Sequence, residues 1–379
     1  MMPVRSKSYA HWGDARKPHH LLVRGFHLDI PLLLGLIVLS VIGLVVLYSS
    51  SGQDTGMIIR QLTRLCFAFT IMFILAQIPP HYIEYWAPWL YGIGLLLLVA
   101  VMLFGEAGKG AQRWLDLGLF RFQPSEIMKL AVPVMVAWYL ADNPLPPSGK
   151  HLFYSVLLII VPVIFIAKQP DLGTALLVAS SGVFVLLLSG IRWKQVAVFL
   201  LCLAVSAPLL WYNLHDYQKA RVITFLNPEN DPLGTGYHII QSKIAIGSGG
   251  LFGKGWMNGS QSHLKFLPER STDFIFAVLG EEFGFTGILF VLALYLFVII
   301  RGLYIATQAQ DTFARLLAGA LILTFFVYIF VNIGMVAGLL PVVGIPLPLI
   351  SYGGTSMVTV LAAFGILMSI HTHRKLLPT

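Results

Sequence analysis

The stretch FIFAVLGEEFGFTGILFVLALYLFVII, residues 274–300, is apolar over a length sufficient to cross a bilayer as one helix. Two adjacent acids, Glu281 and Glu282, interrupt it, and Asp273 stands directly before it. Ionised carboxylates are costly in hydrocarbon, so they usually face a water-filled cavity or a charged partner. We therefore expect this acidic group to mark the place where the chain carries out its chemistry.

The composition of the whole chain is that of a membrane protein. Of its 379 residues, 57% are hydrophobic and only 11% are charged, and the mean hydropathy is +0.80. A soluble globular chain has about 25% charged residues, so too little polar surface is present to cover a water-soluble particle. The net charge of +8 does not indicate nucleic-acid binding, because the basic residues are spread between apolar runs. We assign them to loops that fix topology and touch anionic lipid.

The apolar runs predict an all-α polytopic membrane protein with about ten transmembrane helices. Each span must be helical, because lipid cannot satisfy open backbone groups. One long outer (periplasmic) loop, residues 212–272, connects the seventh helix to the eighth. The predicted spans are 30–49, 62–78, 87–104, 124–141, 152–168, 172–190, 195–212, 274–299, 313–338 and 356–371.

Basic residues predict which side of the membrane each loop occupies. A basic N-terminal segment, 1–29, and a tail, 372–379, flank the membrane domain of residues 30–371. The first apolar run is long enough to stay as an anchor, which argues against a cleaved signal peptide. With both ends in the cytoplasm, the inner segments carry more Lys and Arg than the short outer loops, as the positive-inside rule requires. Most acidic residues then lie outside among basic ones, which indicates a polar site open to the outer leaflet.

The segment KGAQRWLDLGLFRFQPSEIMK, residues 109–129, is the first of four polar outer segments. Its end resembles a helix start, with Ser125 as N-cap and Glu126 in the first turn. Glu126 and Lys129 are three apart and share one helical face, so an internal salt bridge is one interpretation. The functional interpretation adds a cationic, aromatic rim for a phosphate or a sugar, formed by Arg113, Trp114 and Arg121.

Two further outer segments are expected to be mainly structural. In QPDLGT, residues 169–174, Pro170 ends one helix and Asp171 caps the next. In LPVVGIPLPLISYGGTS, residues 340–356, three prolines and a glycine pair predict a broken helix. Non-helical backbone at membrane depth must be buried in protein or line a cavity, so this segment is predicted to be a cavity wall.

The long loop combines a short amphipathic helix with glycines and cations. HIIQSKIAIG, residues 238–247, has the pattern of a helix that lies in the membrane interface. The glycines that follow match no phosphate-loop spacing. A solvated surface explains the cations as well as an anionic ligand does; they are Lys243, Lys254, Lys265 and Arg270.

Asp273 follows this loop and begins the next span. It would be either a helix cap, worth about 1 kcal/mol, or a general base. A base needs a raised pKa and an acceptor hydroxyl within hydrogen-bond reach. Glu281 and Glu282, about two turns deeper, would tune that carboxylate, orient a substrate or hold a cation.

Seven stretches together resemble the SEDS family (shape, elongation, division, sporulation). They extend over nearly all of the chain after residue 30, and several are long and specific. The matching stretches are KGAQRWLDLG, RFQPSEIMKLAVP, QPDLGT, DPLGTGYHIIQSKIAIGSGGLFGKGW, FLPERSTDFIFAVLGEE, LPVVGIPLPLISYGG and SIHTHRK.

The resemblance implies a ten-helix inner-membrane peptidoglycan glycosyltransferase that uses lipid II. It implies that Asp273 is the essential catalytic residue, that Trp114 is functionally important, and that Glu126 and Lys129 lie in a central cavity. Division-type members carry a Lys in the segment that reads LPVVGIPLPLISYGG here, which favours the elongation branch and a role in rod shape. Lys265 stands where relatives often have an acid, which argues against an acidic role there.

The mechanism expected from this resemblance is polymerisation at the outer face. Asp273 would take the proton of the acceptor hydroxyl in an inverting transfer, while Lys and Arg side chains, a divalent cation (Mg2+ or Mn2+), or both would stabilise the departing diphosphate. The residues leave two alternatives open: a lipid II flippase and a non-catalytic scaffold for a partner synthase.

The resemblance also implies partners. They are a class B penicillin-binding protein that supplies transpeptidation, and an elongation complex that contains MreC and MreD. Substrate binding is expected at Arg113, Trp114, Glu126, Lys129, Lys243, Glu281 and Glu282.

Overall fold

Helices make up most of the structure. The computed structural model describes residues 26–108, 111–116, 121–213, 216–230, 234–263 and 269–374, and thirteen α-helices lie in these ranges. In chain order they are α1 (Ile30–Ser50), α2 (Thr55–Gln77), α3 (Pro80–Phe104), α4 (Pro124–Ala141), α5 (Gly149–Lys168), α6 (Leu172–Leu188), α7 (Trp193–Asn213), α8 (Asp216–Leu226), α9 (Thr235–Ser248), α10 (Ser260–His263), α11 (Ile275–Thr307), α12 (Thr312–Val336) and α13 (Thr355–Thr372).

A helix lies over each of the ten predicted spans. Within the described ranges, seven of these helices are long and apolar enough to cross a membrane, namely α1, α2, α3, α5, α11, α12 and α13. The helical, multi-pass membrane architecture is thus confirmed.

Two helices begin earlier than hydropathy predicts. α2 begins at Thr55, because the Asp54 carboxylate accepts a hydrogen bond from the N–H of Met57 (3.0 Å). α3 begins at Pro80, since proline is favoured at the first helical position. Local capping chemistry, which a hydropathy window does not detect, sets both starts.

A small sheet lies between α3 and α4. Its strands β1 (Glu106–Gly108), β2 (Ala111–Asp116) and β3 (Arg121–Phe122) are antiparallel in the order β1-β2-β3. The sequence did not predict these strands. They form in the connection outside the spans, so the helical class of the membrane part stands.

α12 and α13 form the centre of the molecule. Most of the apolar window of each is buried inside the protein, whereas α2, α3 and α5 bury only a minority of theirs. α13 packs against α2, and α12 packs against α6 and α11. The connection between the two central helices is therefore enclosed by protein.

That connection, residues 337–354, contains no helix longer than a turn, and we name it the wall segment. Ile345, Leu347 and Ile350 in it are buried. Gln61 of α2 binds it twice, donating to the Ser351 carbonyl (3.2 Å) and accepting from the N–H of Gly353 (3.3 Å). The predicted broken helix is confirmed, and its burial satisfies the rule for non-helical backbone in a membrane protein.

α11 is kinked at Gly284, whose φ of 66° and ψ of −164° are not helical. The kink exposes backbone groups of α11 to residues 249–261, which we name the strap. The N–H of Lys254 donates to the Glu281 carbonyl (3.0 Å), and the N–H of Phe285 donates to the Gly250 carbonyl (2.9 Å). A Cβ on Gly284 would lie 2.2 Å from the Gly253 nitrogen, so the approach requires glycine.

Candidate active site and lipid groove

A cavity of about 1790 Å³ lies between α2, α3, α4 and α13. Most of its lining is apolar, and the side chains of Trp86 and Trp89 on α3 remain exposed there. Its charged lining lies at one end, which is formed by α2, β2 and the first turns of α4 and α13. The charged and aromatic residues at that end are Arg64, Arg113, Trp114 and Glu126. The apolar residues farther along include Phe67, Ile71, Leu75, Ile78, Ile93 and Ile366.

Contacts between two of the predicted outer segments, 109–129 and 169–174, build the polar end of the cavity. Arg113, on β2, donates from Nε to the Gln169 carbonyl (3.3 Å) and from Nη2 to the Pro170 carbonyl. Gln169 is itself held by the Leu98 carbonyl (3.0 Å). Asp171 accepts from the N–H of Thr174 (3.2 Å), so its predicted role as the cap of α6 is confirmed. The sheet and the turn therefore hold Arg113 and Trp114 at the cavity.

Glu126 and Lys129 form a buried ion pair at the cavity edge. Lys129 Nζ lies 2.7 Å from Glu126 Oε1, and both residues are almost fully buried. The second carboxylate oxygen accepts from the Thr359 hydroxyl (3.0 Å), and Lys129 lies over the Tyr328 ring. The predicted internal salt bridge is confirmed, while a contact with substrate stays a prediction.

The predicted N-cap of α4 at Ser125 is wrong. α4 begins at Pro124, with Gln123 in the N-cap position and Ser125 inside the first turn. Proline at the first helical position is preorganised for the helix, and the helix starts two residues earlier than an N-cap at Ser125 would place it. Gln123 instead donates to Asp171 (2.9 Å), which ties α4 to α6.

Asp273 lies in the turn 269–274 and is partly exposed. The N-cap position of α11 belongs to Phe274, not to Asp273. Asp273 Oδ2 lies 3.5 Å from the point where a Cβ would stand on Gly344, so the carboxylate faces the wall segment at a glycine. Asp273 is not among the described residues that line the cavity, whereas Gly354, the last residue of the wall segment, is. The wall segment therefore connects the two places.

Two cations of the long loop, Lys243 and Arg270, lie next to the wall segment and to the Asp273 turn in the described ranges. Lys243, on α9, is exposed, and its aliphatic chain packs over Gly338. Partial burial lowers the pKa of the Arg270 guanidinium, although arginine stays charged at neutral pH. Lys265 and the side chain of Arg121 lie outside the described residues.

Glu281 and Glu282 face other parts of the fold. The Glu281 side chain is fully buried and accepts from Lys254 Nζ (2.7 Å), the Ser260 hydroxyl (3.0 Å) and the N–H of Gln261 (3.0 Å). Glu282 is equally buried and accepts from the Ser49 hydroxyl. These bonds fasten the strap and α1 to α11, and neither acid lines the cavity among the residues described. A direct role in substrate binding stays a prediction for both.

Sequence reasoning missed Arg64 and Asn332. The Arg64 guanidinium lines the cavity and stacks over the Tyr352 ring at 4.8 Å. Asn332 is fully buried in α12 and donates to the Asp273 carbonyl (2.9 Å). A lone polar residue in the apolar run YIFVNIGMV is a recognisable signal, because polar groups inside membrane helices are costly and usually have a function.

The described residues contain no group of three or more His, Cys, Asp or Glu side chains that could hold a metal ion. They therefore do not fit a complete protein site for Mg2+ or Mn2+, which prefer several oxygen ligands.

Known proteins resemble this chain over nearly its full length. Residues 27–376 match the family of cell cycle proteins described as FtsW/RodA/SpoVE. The peptidoglycan glycosyltransferase MrdB of Escherichia coli (strain K12) is 58% identical over 93% of this chain and 95% of that protein. The peptidoglycan glycosyltransferase RodA of Treponema pallidum (strain Nichols) is 33% identical over 91% of this chain and 98% of that protein.

Solved structures share the fold. A chain of a peptidoglycan synthase complex, studied for its coordination of polymerization and crosslinking, matches with a TM-score of 0.80 at 33% identity, over 90% of this chain and 97% of that one. The rod shape determining protein RodA of Thermus thermophilus matches with a TM-score of 0.70 at 28% identity, over 92% and 98%. Because sequence and fold agree from the first helix to the last, the chain belongs to the FtsW/RodA/SpoVE family, the SEDS family that its motifs resemble.

Proposed function

We propose that this chain polymerises lipid II into glycan strands at the outer face of the cytoplasmic membrane during cell elongation. Its near-full-length relatives are peptidoglycan glycosyltransferases, and this chain is an enzyme of that class. The observation that carries the proposed substrate is the cavity. An apolar groove that ends in two arginines, a tryptophan and a carboxylate suits a lipid chain attached to a diphosphate and a sugar.

Asp273 acts as the general base in this proposal. It accepts the proton of the acceptor sugar's 4-hydroxyl as that oxygen attacks the anomeric carbon of the donor strand. The new glycosidic bond forms while the bond from that carbon to the lipid diphosphate breaks, so the configuration inverts. Support comes from the place of Asp273, partly exposed at the head of α11 and beside Gly344 of the wall segment.

The leaving diphosphate needs positive charge as the bond breaks. Arg64 and Arg113 line the cavity and are the groups proposed for that purpose. Arg113 is held by two carbonyls, so its position is set before substrate arrives. Trp114 provides an apolar face for the sugar beside it.

Polymerisation is favoured over lipid transport by the cavity lining. Beyond its polar end, the groove is lined mainly by apolar side chains such as Leu75, Ile78 and Ile366. A sugar diphosphate that crossed the membrane along it would lose its hydration without gaining polar partners. At the end of α1 toward the N-terminus, Asp29 is already paired with Arg301 and His371.

The deciding experiment compares purified wild-type protein with the Asp273→Asn variant in vesicles that contain lipid II. We expect long glycan from the wild type and a loss of at least about 100-fold in the variant, since a general base commonly contributes that much. Glu229→Gln, which changes an exposed acid far from the wall segment in sequence, is the control.

Three outcomes would contradict parts of the proposal. Normal polymer from Asp273→Asn would remove the base assignment. Lipid II that reaches the opposite leaflet without polymer would favour a flippase. Polymerisation by a partner synthase that needs this chain, but not its Asp273 carboxylate, would favour a scaffold.

A divalent cation belongs to the proposal only as an ion that arrives with the substrate. Mg2+ is usually held by one or two carboxylates together with substrate phosphates. Loss of polymerisation in EDTA with recovery on adding Mg2+ or Mn2+ would support it. Full activity in EDTA would exclude it.

Partners and location complete the proposal. The similarity to a chain of a peptidoglycan synthase complex supports assembly with a penicillin-binding protein, proposed to be of class B. An elongation complex that includes MreC and MreD is proposed from the family resemblance alone. The multi-pass helices support an integral protein of the inner membrane. Both termini are proposed to be cytoplasmic, with the active site periplasmic.

A further inference from the structure

The turn that carries Asp273 is held by the wall segment and by α12. Three consecutive backbone carbonyls of the turn each accept one hydrogen bond, two from the wall segment and one from α12. The bonds run from the N–H of Tyr352 to Ser271 (2.8 Å), from the hydroxyl of Ser351 to Thr272 (2.6 Å), and from the side-chain amide of Asn332 to Asp273 (2.9 Å).

Asn332 joins Asp273 to the middle of the wall segment. Its Nδ2 donates both to the Asp273 carbonyl and to the Ile345 carbonyl (2.7 Å). Two carbonyl acceptors fix the orientation of the amide, because a rotated amide would direct its oxygen at them. Within the part of the chain that is described, the amide oxygen itself has no hydrogen-bond partner and is buried. The two hydrogen bonds of the amide nitrogen therefore account for the presence of Asn332 in the apolar centre.

Ser351 joins the same turn to the far end of the wall segment. Its hydroxyl donates to Thr272 and accepts from the N–H of Leu347 (2.7 Å). Its carbonyl accepts from Gln61 of α2 (3.2 Å). Ser351 is thus a fixed point between the Asp273 turn and the helix that forms one side of the cavity.

The next residue extends this connection to the lining of the cavity. Tyr352 binds the Ser271 carbonyl with its N–H, and its ring lies under the Arg64 guanidinium. A continuous set of contacts therefore runs from the Asp273 turn to a cation proposed to hold the diphosphate.

We propose that Asn332 and Ser351 are positioning residues that set the distance between the Asp273 carboxylate and the substrate held in the cavity. This inference rests on the proposed function of Asp273. Because the bonds are made to backbone carbonyls, they place the carboxylate without contacting it or the substrate. Reacting groups must lie within a few tenths of an ångström of their productive geometry, and a displacement of about 1 Å can cost about 100-fold in rate.

The test measures polymerisation rate against lipid II concentration for Asn332→Ala, Ser351→Ala and Ser351→Thr in vesicles. We expect kcat to fall about 10-fold to 100-fold for the two alanine variants, with KM within about twofold of wild type. Ser351→Thr keeps the hydroxyl and should recover most of the rate. The control is Ser181→Ala, which removes a fully buried hydroxyl that bonds only within α6.

A double variant that combines Asn332→Ala with Asp273→Asn distinguishes a positioning role from a loss of fold. In an Asp273→Asn background, adding Asn332→Ala should lower the residual rate no further, because both changes act through the same group. Unfolding midpoints and size-exclusion profiles show whether each variant is folded. Should Asn332→Ala fail to fold, the contrast between Ser351→Ala and Ser351→Thr decides.

Two results would overturn the inference. One is an unchanged kcat in the folded alanine variants. The other is a double variant whose residual rate falls below that of Asp273→Asn by the full factor that Asn332→Ala causes alone. Both can occur while Asp273→Asn is inactive, in which case only the positioning role fails. If Asp273→Asn polymerises normally, the proposed base fails first, and the positioning role falls with it.

Discussion

Glu126 and Lys129 show how a single buried pair can serve both fold and site. Their charges are withdrawn from water and satisfied by each other, by Thr359 and by the ring of Tyr328. Spacing alone predicted the pair, because residues three apart share a helical face. The depth of burial and the contact with α13 depend on residues more than 200 positions away, which local spacing cannot specify.

The first prediction concerns this pair. Lys129→Met leaves the Glu126 carboxylate buried without its cation, and we expect a loss of about 3–5 kcal/mol in the free energy of unfolding. The double variant Glu126→Leu with Lys129→Met should recover most of that loss. Chemical unfolding in one detergent measures both.

A single variant as stable as wild type would contradict the buried-pair interpretation. The double variant also tests the predicted substrate role. Once its stability is restored, normal polymerisation would show that the pair is structural, whereas a raised KM for lipid II would show that it contacts substrate.

Asp29 is a second residue whose charge holds several elements together. It caps α1 and binds Arg301 of α11 (2.7 Å) and His371 of α13 (2.8 Å). Burial opposes its ionisation, but the hydrogen bonds from His371, Arg301 and Leu32 outweigh that effect, so the pKa of Asp29 is lowered. A carboxyl with a lowered folded-state pKa adds stability above its unfolded value, and this stability is lost as the pH falls through the folded value.

The second prediction follows from the direction of this pKa shift. Asp29→Asn should be less stable than wild type at about pH 5, which is above the unfolded pKa of about 3.9. Below about pH 4 the difference should shrink, because Asp29 of the unfolded wild-type chain binds a proton while the folded carboxylate, with its lowered pKa, stays ionised. Thermal unfolding midpoints of both proteins from about pH 5 downward measure it, and a difference that grows as the pH falls below about 5 would contradict it.

At the scale of elements, the kink in α11 decides where the two glutamates point. The apolar run predicted one continuous span with acids inside it. The structure turns that helix at Gly284 and lays the strap against the opened backbone. Glu281 then binds the strap through Lys254, Ser260 and Gln261, because the kink brings the strap beside it. Helical periodicity cannot reveal a kink that depends on contacts with a distant loop.

The third prediction tests the kink. Gly284→Ala forces a side chain into a backbone conformation that only glycine adopts readily, and its Cβ would collide with the strap. We expect a loss of about 1–3 kcal/mol or more in stability and faster proteolysis of the strap. Gly247→Ala on α9 is the matched control, since no atom lies within 4 Å of its added Cβ. Equal stability of the two variants would contradict a required kink.

At the scale of the whole molecule, orientation follows from the number of crossings. The turn after α1 and the turn between α6 and α7 are separated by five helices, α2 to α6. If each crosses once, the two turns lie on opposite sides, with Gln53 outside and Arg192 inside according to the positive-inside rule. Both side chains are exposed at those turns.

The fourth prediction uses these two positions. In a chain with Cys66 and Cys202 replaced by alanine, Gln53→Cys should react with a membrane-impermeant maleimide in intact spheroplasts. Arg192→Cys should react only after permeabilisation. The reverse pattern would place Asp273 on the cytoplasmic side and exclude polymerisation at the outer face.

The sequence by itself determined the membrane class, the position of every long helix, the broken wall segment and the family. These features depend on local properties: hydropathy, proline and glycine content, and specific motifs. Only the tertiary structure decided that Asp273 faces the middle of the wall segment whose last residue lines the cavity, that Glu281 binds the strap, and that Asn332 holds the Asp273 turn. The reason is physical: lipid is as apolar as a protein core, so the pattern of a membrane helix does not reveal which of its faces meets lipid and which meets another helix.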